Sequence, residues 1–158
     1  MAAATTSPNA SDPGPDPTSV PYIYKIISAQ TPPPTPLPVA LPVSVLDQSS
    51  GYIHASVASQ LLGTLNAFFG AEPRVYILRI PYARVRPVVR WEDSAGLPPD
   101  RACWDARIEG GAGLFPHLYN GLRLGRDEVD EVRVWEIAEA GWRVEDWPFG
   151  EVDVPSVA

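Results

Sequence analysis

The sequence predicts a mixed α+β domain built on a twisted sheet with one main helix. Runs of apolar, β-branched and aromatic residues predict strands at 22–28, 74–80 and 131–137. The segment 57–69, "VASQLLGTLNAFF", instead repeats its apolar residues at helical spacing and predicts the main helix. The two periodicities together favour a sheet covered by a helix.

Composition predicts one folded domain between two tails. Residues 1–20 are small, polar and rich in proline, so we expect a disordered N-terminal tail. Residues 21–150 form the expected single domain, and 151–158 a flexible C-terminal tail. The N-terminal tail lacks the charged and apolar regions of a secretory signal. No apolar run in the chain reaches the roughly 20 residues of a membrane helix. With only one cysteine, Cys103, these features favour a cytoplasmic protein that does not bind membranes.

Charge is distributed unevenly. The chain has a formal net charge of −7, and residues 127–158 contain ten acidic and two basic residues, a net −8. The remainder, with nine acidic and ten basic residues, is nearly neutral at +1. A domain without a basic face is not expected to bind nucleic acids broadly. The sequence does not identify a protein partner, although the acidic end could meet a basic one.

The remaining elements follow in chain order. The proline-rich run 29–42 predicts an extended loop, because prolines remove backbone donors. "GYIHAS", 51–56, predicts a short strand, with Ser56 as the N-cap of the main helix. Further strands are predicted at 87–92 and 141–147. Between them, 96–100 predicts a turn, 102–109 fits a strand or a helix, and 110–113 predicts a loop.

The two histidines are the first candidates for chemistry. His54 and His117 both lie in apolar surroundings, and each is followed two residues later by a hydroxyl, that of Ser56 or Tyr119. In an extended chain, residues i and i+2 share a face, so each imidazole would have a hydroxyl neighbour. This pattern suits a polar ligand in an apolar cleft, but it also suits two structural histidines in a core.

Glu92 is the candidate carboxylate. It shares a strand face with Arg90, so a simple ion pair competes with a role as general base or ribose partner. No paired histidine motif supports a metal site, and we expect none.

Five motifs in order resemble a known family. They are "YIYKI" at 22–26, "GYIHAS" at 51–56, "VYILRI" at 75–80, "RWE" at 90–92 and "LFPHLYN" at 114–120. The pattern resembles the uncharacterised domain-of-unknown-function 952 family over about residues 22–137. That family is similar in fold to the ADP-ribosyltransferase superfamily, which implies an α+β fold split into small twisted sheets around a nicotinamide-nucleotide cleft.

The resemblance also implies roles for individual residues. Matched motif by motif, His54, Ser56 and Tyr119 would bind a cofactor or ligand, and Glu92 and His117 would be catalytic. NAD is the cofactor that the resemblance implies, although the residues alone establish none. The chain departs from the family at Asn120, where glycine is usual, and at 29–42, where a helix with a tryptophan is usual.

Three functional hypotheses follow. The first is a nucleotide-binding protein with ADP-ribosyl or related ribose-transfer activity. The second is a non-catalytic module that binds a small ligand or a peptide. The third assigns both histidines a purely structural role.

Overall fold

The structure, a computed structural model, describes residues 20–93 and 114–155. Within these ranges the chain forms six strands, three α-helices and two 3₁₀ turns. The strands are β1 (Tyr22–Ser28), β2 (Ile53–His54), β3 (Arg74–Pro81), β4 (Val89–Glu92), β5 (Phe115–Leu118) and β6 (Glu131–Glu136). The helices are α1 (Val45–Ser50), α2 (Ala58–Phe68) and α3 (Tyr82–Val85), and the 3₁₀ turns are Arg86–Val88 and Val144–Asp146.

The strands form two antiparallel sheets of three. Sheet A has the order β1-β3-β6, and sheet B has the order β2-β5-β4. β3 is central in sheet A because its apolar residues serve both faces, with Val75, Ile77, Leu78 and Ile80 all buried. A mixed α+β fold with two small sheets is thereby confirmed.

The two faces of sheet A explain the two halves of the core. Leu78 and Ile80 pack with the sheet B residues Trp91 and Leu118 in one cluster. Val75 and Ile77, on the opposite face of β3, lie in a second cluster with Leu61 and Leu65 of α2 and with the C-terminal tryptophans. Since alternate strand residues face opposite ways, one strand supplies both clusters. Sheet B is therefore held against one face of sheet A, and α2 against the other.

A backbone pair joins the two sheets close to His54. The Tyr24 N–H donates to the Ser56 carbonyl at 2.8 Å, and the Ser56 N–H donates to the Tyr24 carbonyl at 2.9 Å. Ser56 is therefore not the N-cap of the main helix. That position belongs to Val57, whose N–H donates to the side-chain oxygen of Gln60 at 2.9 Å. The prediction failed because the Ser56 backbone is committed to the strand pair.

The proline-rich run 29–42 forms neither helix nor strand, as predicted, and lies against residues 124–126. The Leu41 N–H donates to the Leu124 carbonyl at 2.8 Å, and the Arg126 N–H donates to the Pro38 carbonyl at 2.9 Å. At Gly125 a side chain could not fit, because a Cβ there would lie 2.2 Å from the Val39 carbonyl oxygen. These contacts fix the chain just before α1, which carries part of the candidate site.

Two predicted parts of the chain remain, the late strand at 141–147 and the segments between 96 and 113. The late strand predicted at 141–147 is wrong, because the chain forms a 3₁₀ turn there and Trp142 and Trp147 enter the second core cluster. The segments predicted at 96–100, 102–109 and 110–113 lie outside the described residues. Near the C-terminal end of the described residues, Asp153 accepts a hydrogen bond from the Tyr24 hydroxyl at 2.7 Å, which ties this segment to β1.

The turn after β5 does not depend on a positive φ at Asn120. Positive φ values occur instead at Gly121 and Leu122. Asn120 stabilises this turn through its side chain, whose amide donates to the Arg123 carbonyl at 2.7 Å. The departure from the family's glycine at Asn120 is therefore accommodated by side-chain hydrogen bonding.

Candidate functional site

The candidate site is centred on the two histidines, which lie opposite each other in sheet B. Antiparallel pairing of β2 and β5 makes His54 and His117 direct partners. Their ring centroids are 5.1 Å apart in an edge-to-face arrangement. Side chains of directly opposed residues project from the same face of a sheet. The strand register thus brings together two side chains that are 63 positions apart in the sequence.

Glu92 binds the ring of His117. Glu92 is the last residue of β4, which pairs with β5, and its Oε1 atom lies 2.8 Å from His117 Nδ1. The Tyr119 hydroxyl donates to the same oxygen at 2.7 Å, and Arg90 Nε lies 3.7 Å from Glu92 Oε2. Both Glu92 and His117 are 1 % exposed. The carboxylate therefore serves two hydrogen bonds and a nearby cation within the protein interior.

Asp47 binds the ring of His54 in the same way. Its Oδ1 atom lies 2.7 Å from His54 Nδ1 and also accepts from the His54 backbone N–H at 3.1 Å. The other oxygen, Oδ2, accepts from Lys25 Nζ at 2.7 Å, and Lys25 also donates to the His54 carbonyl at 2.9 Å. Lys25 and Asp47 are both buried. A strand of sheet A and helix α1 thus fix a histidine of sheet B.

Local geometry places Asp47 at this point. The Ser44 side chain caps α1 by accepting from the Asp47 N–H at 3.1 Å. Gly51 then ends the helix with a φ of +84°, a conformation that glycine adopts without a Cβ clash. The short helix and sharp turn return the chain so that Asp47 faces the strand that begins two residues after Gly51.

Tyr52 covers the rings of the cluster. Its ring stacks on His117 with centroids 4.3 Å apart, and it lies 4.7 Å from His54 and 5.1 Å from Tyr119. The guanidinium of Arg90 lies 4.9 Å from the centre of the Tyr119 ring. Because aromatic rings pack densely and resist rotation, these contacts restrict the rotamers of both imidazoles. We call Lys25, Asp47, Tyr52, His54, Arg90, Glu92, His117 and Tyr119 the histidine cluster.

Burial and charge shift the pKa values of several groups in this cluster. Burial lowers the pKa of His117, although its hydrogen bond to Glu92 acts in the opposite direction. Burial also lowers the pKa of Lys25, and Asp47 partly offsets this effect. For Asp47, burial favours the neutral acid, but the contacts with His54 and Lys25 outweigh it and lower the pKa. The pKa of Tyr119 is raised, by burial first and by Glu92 second.

Hydrogen-bond chemistry fixes which ring nitrogen is available to a ligand. An ionised carboxylate can only accept, so the Nδ1 atoms of His54 and His117 must carry the hydrogens that point at Asp47 and Glu92. In a neutral ring this leaves Nε2 with a lone pair. Neither Nε2 atom has a hydrogen bond to a partner in the described part of the chain. Both nitrogens can chemically act as acceptors or bases, and that of His54, whose side chain is partly exposed, is the more accessible to a ligand.

The structure brings together four of the five residues singled out from the sequence. His54, Glu92, His117 and Tyr119 belong to one cluster, and the expected Arg90–Glu92 pairing is present. Ser56 lies two residues beyond His54, is buried, and pairs through its backbone with Tyr24.

Sequence reasoning missed Lys25, Asp47 and Tyr52. Two signals pointed towards them: Lys25 is the only lysine in the chain, and "SVLD" at 44–47 has the serine-to-aspartate spacing of a helix cap. Neither signal shows that Lys25 and Asp47 meet at His54, because they lie on different elements.

The described residues contain neither a metal-binding group nor a membrane-spanning helix. Over residues 20–93 and 114–155, no three histidine, cysteine, aspartate or glutamate side chains are grouped so as to hold a metal ion. In the same ranges, no helix has the length and apolar character needed to cross a membrane. A surface cavity of about 470 Å³ lies beside β6, but its lining shares no residue with the histidine cluster.

Solved structures show that this fold occurs elsewhere. The crystal structure of protein CC0527 from Caulobacter crescentus matches with a TM-score of 0.54 and 23% identity, covering 80% of this chain and 96% of that chain. The solution NMR structure of CC0527 matches with a TM-score of 0.51 and 24% identity, covering 77% of this chain and 90% of that chain. Among curated proteins, none matches the chain. The resemblance to ADP-ribosyltransferases thus stays a prediction.

A family model supplies the remaining comparison. The model described as "Protein of unknown function (DUF952)" matches residues 39–132, which include the histidines, Glu92 and Asp47. The match covers more than half of the chain and confirms the family that the sequence motifs indicated. The chain belongs to the DUF952 family of proteins of unknown function.

Proposed function

We propose that the histidine cluster binds the ribose of an NAD-like nucleotide and supports transfer of a ribosyl group. The observation that carries this proposal is the pair of imidazoles in contact, each bound to a buried carboxylate through Nδ1. The Nε2 atom of His54 is an acceptor that matches a hydroxyl donor of a ribose. The side chain of His54 is 23% exposed, so it is the histidine that a ligand reaches first.

His54 is assigned to ligand positioning. Its ring is held by Asp47 on one side and by Tyr52 on the other, so little rotational freedom is lost when Nε2 accepts a ribose hydroxyl. Tyr119, at the edge of the cluster, is partly exposed and would line the same ligand. Ser56 is assigned to the wall of the site next to His54, where it anchors the two sheets.

Glu92 and His117 are assigned to the reaction together. When bound, NAD would supply an activated ribose, with nicotinamide as the leaving group and an oxygen or nitrogen nucleophile as the acceptor. His117 Nε2 takes the proton that the nucleophile releases. Glu92 is fully buried and stabilises the resulting imidazolium through Nδ1. An orienting carboxylate has this role in other carboxylate–histidine pairs that act as a general base.

The test combines binding with turnover. Calorimetry should show that wild-type protein binds NAD and ADP-ribose, and that His54→Gln weakens both at least tenfold, about 1.4 kcal/mol. His117→Gln should keep binding but stop the release of nicotinamide measured by chromatography. Asp130→Asn, which breaks the ion pair with Arg79 in sheet A, is the matched control and should change neither result. The absence of NAD and ADP-ribose binding to the wild-type protein would refute the proposal.

The second candidate is a non-catalytic ligand-binding module. It is favoured by the complete burial of Glu92 and His117, whose polar atoms are already hydrogen-bonded within the fold. Binding of ADP-ribose without release of nicotinamide from NAD would support this candidate over the enzyme. A purely structural role for both histidines predicts lower melting temperatures for the two glutamine variants, together with no ligand binding by wild type.

A further inference from the structure

Two cation–carboxylate–imidazole chains meet in the histidine cluster. In the first, Asp47 joins Lys25 to His54, with both contacts at 2.7 Å. In the second, Glu92 joins Arg90 to His117, with contacts of 3.7 and 2.8 Å. Each carboxylate therefore already has a basic side chain as a partner before its histidine takes a second proton. The formal charges of Lys25, Asp47, Arg90 and Glu92 sum to zero when both imidazoles are neutral.

We propose that Lys25 and Asp47 are positioning residues that hold His54 as a neutral imidazole protonated at Nδ1, so that Nε2 accepts a hydrogen bond from a ligand hydroxyl. The identity of the ligand in this inference rests on the proposed function. The protonation state of the His54 ring does not depend on it. The inference deepens the proposed function by naming the groups that set the acceptor character of the site.

Lys25 influences the charge of the His54 ring because the buried carboxylate of Asp47 requires a counter-charge. With Lys25 Nζ at 2.7 Å from Asp47, the Lys25–Asp47 pair is neutral as a unit, and the carboxylate needs no second cation. Without Lys25, the only cation among the described residues that could compensate Asp47 within hydrogen-bonding distance would be a protonated His54. The other titratable and charged groups of the histidine cluster are Tyr52, Arg90, Glu92, His117 and Tyr119, and the substitution removes none of them.

Asp47 sets the tautomer because it binds two points of the same residue. Its Oδ1 accepts from both the backbone N–H and the ring Nδ1 of His54, which orients the ring relative to its own strand. Lys25 adds a third point by donating to the His54 carbonyl. The single lysine of the chain is thus placed where a compact ammonium group reaches two acceptors at once.

The charge state decides which part of a nucleotide the site recognises. A neutral imidazole with a free Nε2 lone pair accepts from a ribose hydroxyl, whereas an imidazolium donates through Nε2 and attracts phosphate. Loss of Lys25 would therefore convert a hydroxyl acceptor into an anion-binding group. This consequence separates a positioning role from a merely structural one.

Nitrogen NMR tests the inference directly, because the chain contains only two histidines. In ¹⁵N-histidine-labelled wild-type protein at pH 7, long-range ¹H–¹⁵N spectra should show both rings neutral, with Nδ1 protonated and Nε2 unprotonated. His54→Gln and His117→Gln assign the two spin systems. A His54 ring protonated at Nε2, whether as the other tautomer or as imidazolium, would overturn the inference.

Variants then test the role of Lys25. In Lys25→Met the protonated fraction of His54 at pH 7 should rise, while His117 stays neutral, because a charge on the neighbouring His54 lowers the pKa of His117 further. Arg79→Met, which removes a cation paired with Asp130 in sheet A, is the control and should leave both rings as in wild type. A folded Lys25→Met protein with an unchanged His54 ring would contradict the proposal. If Lys25→Met does not fold, the neutral double variant Lys25→Met/Asp47→Leu replaces it, because leucine leaves no acceptor for Nδ1–H, and an Nδ1-protonated tautomer as fully populated as in wild type would overturn the role of Asp47.

The outcome is independent of the nucleotide proposal. Failure of NAD and ADP-ribose to bind would refute the proposed function but would leave the wild-type ring spectra as predicted. The wrong tautomer would refute this inference even if NAD binds.

Discussion

Replacement of Glu92 gives the sharpest test of how the histidine cluster is stabilised. In wild type, Oε1 accepts from His117 Nδ1 at 2.8 Å and from the Tyr119 hydroxyl at 2.7 Å, and the side chain is 2% exposed. Glu92→Gln keeps an acceptor oxygen but loses the charge. Hydrogen bonds to a charged group contribute about 1.5–3 kcal/mol, and neutral ones about 0.5–1.5 kcal/mol. Two such bonds predict a loss of about 2 kcal/mol.

Glu92→Ala removes both bonds and leaves the buried Nδ1–H of His117 without an acceptor. We expect a loss of about 4 kcal/mol, since an abandoned buried polar group adds about 1–3 kcal/mol to the lost contacts. Denaturant unfolding at constant m-value measures both changes. Glu128→Gln is the control, because Glu128 is also buried and accepts from the Gly125 N–H at 2.9 Å, but lies outside the cluster.

The NMR signals of the histidine rings distinguish the effects of the two glutamate substitutions. Glu128→Gln should lower stability without altering the His117 ring signals, whereas Glu92→Gln should alter them. A Glu92→Gln protein as stable as wild type, with the same His117 signals, would show that the carboxylate charge does not hold the cluster together.

Acidification should lower stability in two stages. Because burial holds the pKa of His117 below its ordinary 6.5, the unfolded chain binds a proton that the native protein resists, and stability falls as the pH drops through and below about 6.5. The lowered pKa of Asp47 adds a second loss, as the pH falls below its ordinary 3.8. Unfolding measured from pH 8 to 3 should show both, and His117→Gln should remove the first; an unchanged profile would contradict this reasoning. Gly125→Ala should destabilise by at least about 2 kcal/mol, because its Cβ would meet the Val39 carbonyl at 2.2 Å and the backbone must move. Gly63→Ala, a mid-helix control with no atom within 4 Å of the new Cβ, should instead stabilise by about 0.5–1 kcal/mol, and equal effects at the two glycines would refute the packing argument.

The sequence by itself determined the elements whose pattern is local. Strands β1, β3 and β6 follow from runs of β-branched and aromatic residues, and α2 follows from its helical periodicity. Prolines determined that 29–42 is neither a helix nor a strand. The i and i+2 spacing placed Tyr119 beside His117, and the structure confirms that both reach Glu92.

Only the tertiary structure decided how these pieces combine. The opposition of His54 and His117 depends on the pairing of β2 with β5, a long-range register that no local pattern encodes. Lys25 and Asp47 reach His54 from β1 and α1, so their role depends on how sheet A and α1 pack against sheet B. At Ser56 the tertiary structure overrides the local pattern. That pattern favours a helix cap, but backbone pairing with Tyr24 satisfies more backbone groups. Charged side chains in a core require partners, and the identity of those partners is decided by packing between elements.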